Sequence, residues 1–285
     1  TAMIFGLVSL MFLDTSINMA MQPFKMMVGD MVNEKQKGLA YSIQSFLCNA
    51  GSLVGFLFPF IFTWIGISNI APQGVVPDSV IYSFYIGAAI LILCVIYTTV
   101  KVKEMPPAEY AEYHGITEEE KKEKINMVKL LVKAPKAFWT VGLVQFFCWF
   151  AFMFMWTYTN GSVAANVFDA PTVETVVNGA SKIVLDTKSI QYQNAADWVG
   201  VLFAVQAIGS VLWAVCIPMF KNRKLIYSLS LVLGGIGFIS TYFVHNQYVL
   251  FISFLLIGCA WAAMLALPFT ILTNALSGGH MGTYL

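Results

Sequence analysis

Five long stretches of this chain contain no aspartate, glutamate, lysine or arginine, and they constrain its fold more than any other feature. They cover residues 38–77, 79–100, 137–168, 198–220 and 225–285 of the 285 residues. A helix that crosses a bilayer needs roughly 20 mostly apolar residues, and every stretch is long enough to supply one or more. Charged residues make up 11% of the chain, whereas about 25% is usual in soluble domains. The fold class predicted from this pattern is all-α, a polytopic helical membrane protein.

Hydropathy and turn residues divide the chain into seven predicted transmembrane helices. Their approximate bounds are 1–31, 38–66, 79–101, 137–160, 197–220, 224–244 and 248–275. The connection 161–196 is mixed and polar, whereas the connection 102–136 is highly charged. Residues 117–120 (Thr-Glu-Glu-Glu) resemble a capping box, so we expect either an amphipathic helix on the membrane surface or a solvated linker helix there. Because the sequence starts and stops close to apolar segments, we also expect further helices at both ends of a longer chain.

The basic residues orient these helices in the membrane. The chain has 16 lysines and arginines. All except Lys182 and Lys188 lie within 25–37, 101–136 or 221–224, and successive membrane crossings place these three segments on the same side of the membrane. Cytoplasmic loops carry an excess of lysine and arginine. The segments predicted to be cytoplasmic are therefore 32–37, 102–136, 221–224 and the end at 277–285.

The first predicted helix carries a polar stripe that includes the one acid well inside a span, Asp14. At about 100° per residue, Asn18, Gln22 and Lys25 follow Asp14 on one face over roughly 16 Å. An unpaired charge in hydrocarbon costs several kcal/mol, and a carboxyl group in a low dielectric binds a proton more readily than in water. Pro23 removes a backbone hydrogen bond beside the stripe. The stripe predicts a proton-coupled binding surface, and the alternative is contact with a neighbouring helix.

An aromatic and amide face on the fourth predicted helix is a second candidate site. Gln145, Trp149, Phe152 and Trp156 follow the spacing i, i+4, i+7 and i+11, which places them on one side of a helix. The C–H faces of sugars pack on aromatic rings while sugar hydroxyls hydrogen-bond to amides. Core packing and an interfacial aromatic belt are the alternatives.

The remaining polar and small residues carry weaker signals. Gln206 and Ser210 in the fifth helix and Asn274 near the end of the seventh favour ligand contact and helix–helix hydrogen bonding equally. Two glycine groups, Gly51-x-x-x-Gly55 and the cluster at 234–237, predict close helix contacts. The five cysteines lie in apolar stretches without metal-ligand spacing. We therefore expect no metal, no cofactor other than a coupling proton, and no catalytic residues.

Several motifs resemble those of a known transporter family. The run Asp14-x-x-x-Asn18-Met19-x-x-x-Pro23-x-Lys25-x-x-x-x-Asp30 is similar to the fourth-helix motif of the sucrose:proton symporter branch of the glycoside–pentoside–hexuronide transporters, within the major facilitator superfamily. Further similar segments follow in the same order along the chain. They are VQFFCWFAFMFMWTYTNG (144–161), DWVGVLFAVQ (197–206), WAAMLALPFTIL (261–272) and MGTYL (281–285).

The resemblance implies a twelve-helix protein made of two six-helix halves, of which this chain would hold about helices four to ten. Residues 1–101 would then be the C-terminal part of the first bundle, 102–136 the cytoplasmic linker, and 137–285 the N-terminal part of the second bundle. The family's helix-four acid corresponds to Asp14 as the proton acceptor, and its helix-four arginine corresponds to Lys25. Lysine keeps the positive charge and lacks the two-pronged guanidinium.

These observations together predict a secondary active transporter, and not an enzyme, that imports a glycoside such as a disaccharide with a proton by alternating access. The expected partners are the glycoside and the lipid bilayer, without nucleic acid, and the expected state is a monomer in a bacterial inner membrane. A sodium-coupled or uncoupled carrier is the first alternative; a membrane-embedded lipid-modifying enzyme and a non-transporting sensor are the others. The predicted substrate-binding residues are Asn18, Gln22, Lys25, Gln145, Trp149, Trp156, Gln206 and Asn274. The predicted structural or gating residues are Pro23, Asp30 and Pro268.

Overall fold

The structure is a computed structural model of the chain. It describes residues 2–33, 35–67, 76, 78–103, 106, 109, 112, 132, 134–177 and 180–275. The surface or linker helix expected within 102–136, with its capping run, lies almost entirely outside the described residues.

The described residues form seven long helices and one short strand pair. The helices are α1 (Ala2–Met31), α2 (Lys37–Trp64), α3 (Asp78–Lys101), α4 (Lys136–Asn166), α5 (Ile190–Cys216), α6 (Arg223–Phe243) and α7 (Leu250–Ala275). The strands are β1 (Thr172–Val177) and β2 (Ala180–Leu185), and a 3₁₀ turn, Ile217–Met219, follows α5.

Among the described residues, six of these helices are identified as long and apolar enough to cross a membrane. Helix α2 has 28 residues, and residues 38–64 of it carry no charged side chain. At 1.5 Å per residue, α2 is also long enough for the roughly 30 Å of a bilayer core. The predicted all-α, polytopic membrane fold is confirmed.

The largest departure from the predicted helix bounds lies in the segment 161–196. Helix α4 continues to Asn166, and α5 begins earlier than predicted because the Ser189 hydroxyl accepts a hydrogen bond from the Tyr192 amide at 3.2 Å and caps the helix. Between the two helices β1 and β2 pair antiparallel. The two residues that separate the strands are Asn178-Gly179 in sequence, the dipeptide typical of two-residue hairpin loops.

Helix α7 is the centre of the packed region and contacts α2, α4, α5 and α6. Glycines allow the closest of these approaches. A Cβ on Gly209 of α5 would lie 2.6 Å from the backbone oxygen of Leu255, and a Cβ on Gly258 would overlap the backbone oxygen of Gln206. Neither of these glycines belongs to the predicted groups, because the need for glycine here arises from a partner helix distant in sequence.

The two predicted glycine groups behave differently. A Cβ on Gly234 of α6 would overlap the Ala260 side chain, and a Cβ on Gly237 would lie 2.7 Å from the Ser253 oxygen, which confirms close contact between α6 and α7. The prediction for Gly51 and Gly55 is wrong for the described residues, since no atom lies within 4 Å of a Cβ built at either position. The spacing of small residues indicates where a second helix backbone could approach closely. A close contact forms only where another helix lies beside that face.

Helix α2 packs against α5 and α7. Under the predicted division of the chain, α2 belongs to the first bundle, and α5 and α7 belong to the second. This contact is polar at one point, because the Ser45 hydroxyl donates to the Ala262 carbonyl at 3.2 Å. Within α2, the Asn49 amide donates to the Ser45 carbonyl at 2.7 Å. The division into two bundles itself stays a prediction.

Candidate functional site

Three tryptophans from two helices form an aromatic cluster on α7. The Trp261 ring of α7 lies 5.9 Å from Trp149 and 5.5 Å from Trp156, both on α4, in edge-to-face geometry. Phe152 of α4 also contacts Trp261, at 4.8 Å between ring centroids. The predicted common face of α4 is therefore turned towards α7. Phe152 is buried, but Trp149 and Trp156 remain 42% and 43% exposed among the described residues.

Gln145 extends this face by one turn and makes a specific contact with α7. Pro268 lies inside α7, and because proline has no N–H, the carbonyl of Met264 four residues earlier lacks the backbone donor of a regular helix. The Gln145 Nε2 group donates to this Met264 carbonyl at 3.2 Å. The Gln145 Oε1 atom is buried, and it has no hydrogen-bond partner among the described residues.

Lys25 of α1 contacts α7 two helical turns beyond Trp261, at Phe269. Its Nζ atom lies 4.5 Å from the centroid of the Phe269 ring, within the range of a cation–π contact. Tyr41 of α2 stacks on Phe269 at 5.8 Å, and its hydroxyl donates to the Lys25 carbonyl at 3.4 Å. The cation of the predicted stripe therefore sits where α1, α2 and α7 meet.

A groove of about 550 Å³ opens beside Lys25. This volume falls in the range of about 300–1,000 Å³ that is usual for small-molecule pockets. Its walls are the last turns of α1, the first half of α2 and Leu265 of α7, and its polar groups are Lys25, Gln44 and Ser45. Three methionines, Met21, Met27 and Met31, make the α1 wall apolar.

The stripe on α7 that links these features is not among the sequence predictions. Trp261, Leu265 and Phe269 recur at i, i+4 and i+8 and are all half-buried, so they form one partly open stripe. The stripe spans about 12 Å from the tryptophan cluster to Lys25. We refer to this stripe, with Lys25, Gln145, Trp149 and Trp156, as the α7 face. The same spacing rule that identified the α4 residues could have identified it.

The acid of the predicted stripe is not part of the α7 face. Asp14 and Asn18 lie on the exposed part of α1, where the Asn18 amide donates to the Asp14 carbonyl at 2.9 Å. Neither residue lines the groove, which begins at Met21. Helix α1 runs through Pro23 without interruption. The proposed role of Asp14 stays a prediction.

The other predicted residues fall into two groups. Gln206 is buried where α5 and α7 approach closely, and the neighbouring Ser210 donates to the Gly258 carbonyl at 2.8 Å. Ser210 therefore forms a helix–helix hydrogen bond. The side chains of Gln22, Asp30 and Asn274 lie outside the described part of the chain. Within the described ranges no group of three His, Cys, Asp or Glu side chains could hold a metal ion.

Comparison with known proteins identifies a family. A family model described as Major Facilitator Superfamily matches residues 3–285. Comparison with curated proteins and with solved structures gives no match. The family match covers all seven helices and the strand pair.

Proposed function

The chain belongs to the major facilitator superfamily of multi-pass membrane transporters, and from this premise we propose that it imports a glycoside, such as a disaccharide, together with a proton. Alternating access between two helix bundles would carry the sugar across the membrane. The proposed location is a bacterial inner membrane, with the lysine-rich loops inside.

The observation that carries the proposal is the cluster of Trp149, Trp156 and Trp261 next to Gln145. Two of these rings are more than two-fifths exposed, and the buried amide oxygen of Gln145 lacks a partner in the described part of the chain. Aromatic faces and a nearby amide are the groups that a sugar requires, since its C–H face is apolar and its rim is polar.

The groove beside Lys25 is the proposed binding region for a second part of the ligand. Lys25, Gln44 and Ser45 offer one cation and several hydrogen-bonding groups beside a methionine-lined wall. Methionine side chains adapt to irregular apolar surfaces. A glycoside with two units, or with an apolar aglycone, would extend about 12 Å along α7 and contact both ends of the face.

Asp14 is the proposed proton acceptor. It is an acid within an apolar segment predicted to cross the membrane, a position that is costly unless the residue has a function. The motif from Asp14 to Asp30 resembles that of sucrose:proton symporters, which also supports this role. Protonation would remove the charge and so change the stability of α1 in each state of the transport cycle.

Transport by the purified protein in liposomes tests the proposal. Labelled disaccharides, monosaccharides and amino acids would be offered separately under an inward proton gradient. We expect accumulation of at least one disaccharide, abolished by a protonophore. Accumulation of amino acids alone, or of no solute in the panel, would overturn the glycoside assignment.

Exchanging the driving ion separates the alternatives. A sodium gradient in place of the proton gradient would drive uptake only in a sodium-coupled carrier, and equal uptake without any gradient would indicate an uncoupled one. Binding of a sugar without accumulation in any condition would indicate a sensor. Chemical change of a lipid or sugar during the assay would indicate an enzyme.

A further inference from the structure

We infer that Gln145 selects substrates that donate a hydrogen bond, and that Pro268 fixes this selectivity by orienting the Gln145 amide. The inference rests on the proposed function and names what the same site requires of its ligand. Gln145 is a predicted contact residue; the new element is the direction of its hydrogen bond and the backbone feature that sets this direction.

The Met264 carbonyl of α7 lacks its regular backbone hydrogen-bond donor. In a regular helix the N–H of residue 268 would donate to the carbonyl of residue 264. Pro268 has no N–H, and it is fully buried, so solvent cannot replace the lost donor easily. Gln145 of α4 supplies the missing donor at 3.2 Å. The proline thus creates the binding point for this side chain.

The second step is the polarity of the amide. A carbonyl oxygen can only accept hydrogen bonds, so the nitrogen end of the Gln145 amide must face Met264. The oxygen end must then point away from Met264. It is buried without a hydrogen-bond partner among the described residues, and a buried acceptor left in this way destabilises the protein. A ligand or water that donates to Gln145 Oε1 would remove this penalty, and it would reach this buried atom in a state of the transport cycle in which α4 and α7 lie further apart.

The third step is the position of the acceptor. Gln145 lies one helical turn from Trp149, whose half-exposed ring borders Trp261. A ring-shaped ligand that packs its C–H face on tryptophan would bring a rim hydroxyl towards an amide on the same helix face. The site therefore requires one hydroxyl that acts as a donor, and it disfavours a ligand with only an acceptor at that position.

A series of substrate analogues tests this directly. Each hydroxyl of a transported disaccharide would be replaced in turn by fluorine, which cannot donate a hydrogen bond. For wild-type protein we expect one fluorinated analogue whose KM exceeds that of the parent sugar by about tenfold or more. The variant Gln145→Met should raise the KM of the parent and remove most of the difference between parent and analogue.

The variant Pro268→Ala provides the second arm. Alanine restores an N–H to α7, which then competes with Gln145 for the Met264 carbonyl. The Gln145 amide is freed to rotate and to donate as well as accept, so the KM ratio between analogue and parent should fall towards one while the maximal rate changes little. Gln193→Met, on the exposed start of α5, is the control and should leave the ratio unchanged.

The outcomes are distinguishable. Transport of the parent sugar with equal KM for all fluorinated analogues would overturn this inference and leave the proposed function intact. An unchanged KM ratio in Pro268→Ala would overturn the role of the proline. If Gln145→Met does not fold, the Pro268→Ala variant still tests whether the orientation of the Gln145 amide sets the selectivity. Failure of the wild-type protein to transport any glycoside would overturn both proposals.

Discussion

Helices α1 and α7 are both long and apolar and each contains one proline, yet they differ in how much of their surface is buried. Among the described side chains of the apolar segment Ile4–Val28 of α1 none is buried, whereas 61% of the segment Leu250–Leu272 of α7 is buried. Helix α1 meets the other described helices near Lys25, while α7 contacts four helices along its length. Apolar composition alone therefore does not say which helix forms the core of a membrane protein.

The difference suggests how two tasks are divided. The groups proposed to contact a sugar lie on or against α7, where buried neighbours hold them in place. The proposed proton acceptor lies on α1, which makes fewer contacts than α7 with the other described helices. We expect changes on α7 to alter binding and stability, and changes on the exposed part of α1 to alter coupling.

The largest effect is expected from Asp14→Asn. Asparagine resembles the protonated acid but cannot release a proton, so accumulation driven by a proton gradient should be lost while exchange of labelled for unlabelled sugar continues. Uptake in liposomes measures both. Asp78→Asn, at the exposed start of α3, is the control and should behave as wild type. Full accumulation by Asp14→Asn would remove this residue from the coupling mechanism.

Glycine substitutions on the two helices should differ in stability. The Cβ of Gly258→Ala would overlap the α5 backbone, which should lower the free energy of unfolding by about 1–3 kcal/mol. Gly6→Ala on α1 meets no atom within 4 Å and should be neutral or stabilise the helix by about 0.5–1 kcal/mol. Thermal unfolding in detergent measures both, and equal effects would contradict the contrast in packing.

Loss of the Trp261 ring should weaken sugar binding. Trp261→Leu keeps an apolar side chain but removes aromatic contacts that are each worth about 0.5–1.5 kcal/mol. We expect the Kd for the transported sugar to rise by about three- to tenfold. Trp64→Leu is the matched control, because Trp64 is 91% exposed at the end of α2. An unchanged Kd in Trp261→Leu would exclude the tryptophan cluster from the binding site.

The smallest effect is expected at Lys25. Lys25→Gln removes the cation above Phe269, a contact worth about 0.5–1 kcal/mol, whereas Lys25→Arg preserves it. The Kd for the sugar should rise by about two- to fivefold in the glutamine variant and stay close to wild type in the arginine variant. A large loss of affinity in both variants would contradict this small effect, because it would show that the site requires the lysine side chain and not only a cation.

Part of this architecture could be predicted from local sequence. Charge-free stretches predict the helices because backbone groups in a bilayer must be satisfied within a helix, and the i, i+7 spacing placed Trp149 and Trp156 on one face. The strand pair was missed because its twelve residues lie in a polar segment, although Asn178-Gly179 is a hairpin signal.

The missed features share a cause. Trp261 completes a cluster with residues more than one hundred positions away, and the Gln145 bond depends on a proline in another helix. Spacing along one helix specifies which side chains share a face, but it does not specify the helix that this face meets. Likewise, the sequence shows that Asp14 is costly in a membrane without showing what surrounds it.

The division of tasks between α1 and α7 is tested most directly by calorimetric titration of the transported disaccharide into purified Asp14→Asn. The account predicts that this variant, although unable to accumulate sugar, binds it with a Kd within about threefold of the wild-type value. A complete loss of binding would contradict the account, because it would place the acid of α1 in the sugar site itself.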